Sequence, residues 1–127
     1  MAYSLNKLKE ELVSKNLADD GLVAWGQATS NMLSLGGAVG GLLAGITGQK
    51  FAISMIENSK IAIFPFTNKE INYNDARAFG RDKLEKVKLS GLFTKTLKLY
   101  TVDGNCIKLP LLQGASSVKE IISRLGF

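Results

Sequence analysis

The sequence predicts a mainly β chain with α: about seven antiparallel strands in a barrel, closed by a C-terminal helix and preceded by a short N-terminal helix. Three observations carry this. From residue 50 onward, short apolar runs recur between turn signals, about eight to twelve residues apart, as in a sandwich or barrel. Beyond Ser116 the apolar positions switch to a helical period, and before Asn16 they mark one helical face. The chain has 127 residues, enough for one domain with one core.

At the N-terminus, Leu5, Leu8, Leu12 and Val13 form one face of an amphipathic helix over about residues 4–16. Ser4 supplies a capping side chain, and Asn16 or Gly21 a stop. Residues 1–20 are read as this helical lead, without the pattern of a secretory signal, so a cytoplasmic location is expected. The domain proper is expected over 21–127, with a first strand from Leu22 to about Asn31 that contains Trp25. A Gly-rich insertion follows at about 32–49. Its run MLSLGGAVGGLLAGITG (Met32–Gly48) has Gly37, Gly41 and Gly45 four apart, the spacing that lets helices approach closely in membranes. A spanning helix needs about 17–25 apolar residues, and glycine weakens helices. Two readings stay open: a small-residue connection packed on the barrel, or a membrane or partner contact through Leu42, Leu43 and Ile46.

Phe51–Met55 alternates large and small side chains, as a half-buried strand does, and Glu57–Lys60 reads as a turn. Ile61–Phe66 is the next strand, with Pro65 marking an edge or a strand end. Ile71–Phe79 is predicted as another strand, bent at Gly80. Val87 and Leu89 alternate with Lys86 and Lys88, and Leu97 and Leu99 flank Lys98. Asp103-Gly104 predicts a type I′ hairpin turn, returning through Asn105–Leu111 with Ile107 and Leu109 inward and Lys108 outward. Ser116-Ser117 is the expected cap of the last helix. Val118, Ile121, Ile122 and Leu125 form its buried face, and Gly126 ends it.

The chain carries 16 Lys and Arg against 11 Asp and Glu, a net charge of +5 with pI near 9.4. The excess is uneven. Residues 1–49 hold three lysines against four acids, net −1, and residues 50–127 hold thirteen cations against seven acids, net +6. There is no histidine, and Cys106 is the single cysteine. Ser-His-Asp and Cys-His catalysis is therefore excluded, as are His- and Cys-based zinc sites and an internal disulfide. No P-loop precedes Lys50, which stands between Gln49 and Phe51, and no G-x-G-x-x-G is present. Asp75, Asp82 and Glu85 lie beside Arg77, Arg81 and Lys83, which reads as surface ion pairing rather than an active site. Cys106 reads as a structural, partly exposed thiol. No catalytic residue, metal or cofactor is expected.

The alternation places Lys88, Lys98 and Lys108 outward on three successive strands, with Lys86 beside them. That stripe suits anionic recognition, lipid headgroups first, and it equally suits a solvated face protected from edge pairing. Nucleic acid is disfavoured because Tyr100 is the one outward aromatic among the lysines.

The order of strands and helix resembles the pleckstrin-homology-like (PH-like, GRAM-like) domains of small bacterial proteins. The resemblance rests on Ile71-x-Tyr73-x-Asp75, on Leu97-x-Leu99-x-Thr101-x-Asp103-Gly104 and on the closing helix up to Leu125. It implies a non-enzymatic binding module contacting anionic lipid, with headgroups at the loops flanked by Lys50 and Lys60. It also implies an alternative, a protein-interaction or self-assembly scaffold, and with it a homo-oligomer. The anionic-ligand candidates are thus Lys50, Lys60, Lys88, Lys98 and Lys108.

Overall fold

A computed structural model describes residues 4–27, 50–67 and 69–127. Helix α1 spans Leu5–Ser14. Ser4 caps it, its hydroxyl accepting from the Lys7 N–H at 3.2 Å. Leu8 and Leu12 are fully buried, while Val13 is exposed, so the docked face is narrower than the sequence pattern. Asn16 takes a left-handed conformation (φ 59°) just past the helix.

Strands β1 (Val23–Gln27), β2 (Lys50–Ile56), β3 (Lys60–Phe66), β4 (Arg77–Gly80), β5 (Leu84–Ser90), β6 (Thr96–Thr101) and β7 (Cys106–Gln113) form one antiparallel sheet. Its order is β4-β3-β2-β1-β7-β6-β5. The sheet curls into a half-barrel, and helix α2 (Ala115–Arg124) packs into its concave side. This is the mainly β architecture the sequence predicts, and it is consistent with a PH-like fold.

Two apolar clusters explain the burial. The inner one joins Phe51, Ile53, Met55, Ile61 and Ile63 of β2 and β3 to Leu97, Leu99, Ile107 and Leu109 of β6 and β7, with Val118, Ile121 and Leu125 from the C-terminal helix. The second lies outside the sheet, where α1 places Leu8 and Leu12 on Val23, Ala52, Ala62, Phe64 and Phe66. So β2 and β3 are buried on both faces, and β2 is not half-buried as its alternation suggests. The small side chains Ala52, Ser54 and Ala62 fall on the outer face, where they let the helix and its following turn approach. Ser54 Oγ donates to the Leu17 carbonyl at 2.6 Å, satisfying a fully buried hydroxyl.

Four further details depart from the sequence reading. Of Ile71–Phe79, only the end is strand; Asn72 Oδ1 accepts from the N–H groups of Asn74 (3.1 Å) and Asp75 (3.2 Å), closing an Asx turn instead. After Gly80, one 3₁₀ turn (Arg81–Lys83) leads into β5. Asp103-Gly104 is not a type I′ turn, because Gly104 has positive φ (92°) and Asp103 does not. Gly104 N–H donates to the Thr101 carbonyl (3.1 Å) in a longer loop. The left-handed pair belongs to Glu57 and Asn58, both at φ 54°, in the β2–β3 turn. Finally, left-handed Gly114 occupies the cap position of α2, without a side-chain cap from Ser116 or Ser117. Pro65 stands as expected near a strand end, opposite Phe51 and beyond the reach of β4.

Candidate functional site

The outer surface of the sheet is divided. Helix α1 covers β1–β3, and β5–β7 face solvent. On that open half, Lys88 is directly opposite Lys98, and Lys98 directly opposite Lys108. The register therefore forms a ladder of three ammonium groups running across the strands. Strand spacing near 4.8 Å makes the row about 10 Å wide at the backbone. In the next outward row Lys86, Tyr100 and Cys106 are aligned, and Lys86 Nζ lies 5.9 Å from the Tyr100 ring centroid, a cation–π contact. On the other side stand Ser90, Thr96 and Pro110. Ion pairs among the described residues include Lys60–Glu57, Arg124–Asp20 and Arg124–Glu120, and none of them involves Lys88, Lys98 or Lys108. Like charges directly opposite in a sheet are mutually unfavourable.

Lys50 and Lys60 are not part of this row. Lys50 begins β2 opposite Phe66, and Lys60 begins β3 opposite Ile56, at the other end of the same hairpin. Six strand positions separate the two ends, about 20 Å. Lys50 Nζ lies 5.9 Å from the Trp25 ring centroid, and Lys60 is paired to Glu57 Oε2 at 3.0 Å. The expected set of five lysines thus divides into a ladder of three and two separate cations. Leu42, Leu43 and Ile46 lie outside the described residues.

The acidic residues do not pair as the sequence suggests. Asp75 Oδ2 accepts from Asn72 Nδ2 at 2.7 Å, Arg77 donates to the Ala76 carbonyl and Arg81 to the Leu84 carbonyl. The Arg81 guanidinium also lies 3.9 Å from the Phe127 ring centroid. No cluster of metal-ligating side chains occurs among the described residues. Cys106 is half-buried on the outer face, as its strand parity requires. At the β6–β7 loop the Thr101 hydroxyl donates to the Asp103 carboxylate, which holds that carboxyl below its ordinary range, helped by Asn105. Arg124 is held above its usual value by Asp20 and then Glu120.

One surface feature escaped the sequence reading. Between β5 and β6, Leu92 is 90% and Phe93 99% exposed, two large apolar side chains at the tip of a loop. Their legible signal is an apolar pair directly after a turn glycine, Gly91-Leu92-Phe93. A second surface, at the β4 edge, is an open groove of about 320 Å³ lined by Leu17, Ile56, Phe64, Tyr73 and Ala76.

Comparison with known protein families finds none that matches this chain, and comparison with curated proteins finds none either. No helix among the described residues is long and apolar enough to cross a membrane.

Proposed function

We propose that this chain is a non-enzymatic, PH-like binding module that contacts anionic lipid at a membrane surface through the open face of β5–β7. The observation that carries this is the in-register row Lys88–Lys98–Lys108, with Lys86 adjoining it. Each Lys near an anionic leaflet contributes on the order of 1 kcal/mol, so such a row gives useful but salt-sensitive attraction. Like-charge contacts that disfavour the isolated sheet are relieved when headgroup phosphates or carboxylates lie between the ammonium groups. The module is cytoplasmic and peripheral to the membrane in this reading.

Co-sedimentation with vesicles tests it. Phosphatidylserine-containing vesicles should retain the protein at low salt and release it at high salt, and phosphatidylcholine vesicles should not retain it. Equal retention by both, or none by either, removes the lipid reading.

A second reading, a protein-interaction or self-assembly scaffold, is favoured by one observation. The short edge strand β4 adjoins the apolar groove under Leu17 and Tyr73, and an extended peptide can extend such an edge. Light scattering across concentration separates self-assembly from a strict monomer.

A further inference from the structure

We propose that the β5–β6 loop is the part of the molecule that enters an anionic bilayer, with Leu92 and Phe93 as the inserted side chains. This rests on the lipid-contacting reading of the lysine face and names the element that fixes its orientation. Isolated exposed apolar residues are ordinary on protein surfaces. Two adjacent ones, exposed at 90% and 99%, touch almost nothing of their own chain. They stand at the tip of a loop, exposed on nearly all sides, which suits a fluid, deformable partner.

The loop is braced to present them. Gly91 has φ 115°, and a Cβ there would lie 2.1 Å from the Thr94 carbonyl oxygen, so only glycine allows the tight reversal. Lys95 Nζ donates to the Gly91 carbonyl at 2.7 Å, closing the base of the loop. Lys95, immediately before β6, is also tied to β7, where Leu111 N–H donates to the Lys95 carbonyl at 2.8 Å. Leu112, also exposed, shares a shallow recess with Phe93 at this end of the sheet.

Charge complementarity selects the partner. The row Lys88–Lys98–Lys108 runs across the strands, so its three members stand at nearly one height behind the tip. Lys88 precedes Leu92 by four residues, at most about 13 Å of extended chain. A bilayer met end-on by the loop lies parallel to that row. Amphipathic elements bury apolar groups about 5–10 Å into the headgroup–acyl boundary. With Leu92 and Phe93 at that depth, Lys95 and then the lysine row fall among the anionic headgroups. A neutral protein surface offers no counterpart to that second layer.

The test uses the full chain and vesicles of phosphatidylserine and phosphatidylcholine. Leu92→Ser/Phe93→Ser should weaken binding at least about tenfold, with unchanged melting because both side chains are exposed. Phe93→Trp should gain fluorescence quenching by brominated acyl chains beyond that of the wild type, which reports Trp25. Such quenching together with the lost affinity supports insertion. If the wild type binds anionic vesicles while the serine variant binds equally and Phe93→Trp is unquenched, insertion is overturned and the lysine-face reading stands. If the wild type binds no vesicle, both are overturned. If the serine variant instead converts a dimer to a monomer and leaves vesicle binding intact, the tip belongs to a second copy and the proposal fails.

Discussion

Neutralising the middle of the lysine ladder should stabilise the fold and weaken the binding it supports. Lys98 has a lysine directly opposite on each side, and Lys98→Gln removes the charge while keeping most of the side-chain stem. With ammonium groups splayed to about 8 Å, each pair costs about 0.5 kcal/mol in a water-like dielectric, or about 1 kcal/mol for two. Screening at physiological salt lowers the sum to about 0.4 kcal/mol. In low salt the melting temperature should rise by about 3–5 °C, and in 1 M salt the gain should vanish. Affinity for phosphatidylserine vesicles should fall about fivefold, the equivalent of about 1 kcal/mol. Scanning calorimetry at two salt concentrations, paired with vesicle binding, reads both effects. A melting temperature that drops, or a gain equal at both salts, refutes the claim that the three lysines act on one another.

Three predictions concern the frame that holds this face. Leu12→Ala, at a fully buried site between α1 and the sheet, should cost about 2–5 kcal/mol in urea unfolding, and a loss below about 1 kcal/mol would mean that the helix is not docked there. Gly26→Ala would place a Cβ 1.8 Å from the Pro110 carbonyl oxygen where β1 meets β7. Since backbone must move, it should cost about 1–3 kcal/mol or more, and an unchanged melting temperature would contradict that contact. Thr101→Val should return the Asp103 carboxyl toward its ordinary range in an NMR titration. Because the folded-state value is depressed, the bond's contribution is present above the ordinary carboxylate range and lost as pH falls through the lowered value. The variant should therefore lose stability at pH 7 and approach the wild type in acid, and identical Asp103 titrations would remove this bond from the account.

The sequence made the alternating half of the molecule legible because one face of β5–β7 is wet. Lys86, Lys88, Lys98 and Lys108 could be assigned outward from parity alone, and their register then follows from hairpin pairing. Where two partners compete for a strand, parity misleads. Ala52, Ser54 and Ala62 look like the weak face of a half-buried strand, and they are small because α1 lies over them. Ile71–Ala76 has a strand-like pattern, but the Asn72 side chain satisfies two backbone N–H groups locally and turns the chain. Apolar periodicity also says nothing about a loop tip. Leu92 and Phe93 interrupt the pattern between two strands, and they stand where Gly91 closes locally against Thr94, a turn that apolar periodicity does not register.

The most direct measurement is the salt dependence of vesicle binding for the wild type and for Lys88→Gln/Lys98→Gln/Lys108→Gln. The wild type should be retained on phosphatidylserine vesicles at low salt and released at high salt. The triple variant should fold normally but bind at least about a hundredfold more weakly, with most of the salt dependence gone. A triple variant that binds with the wild-type affinity and salt dependence would contradict a lipid-contacting role for the lysine row.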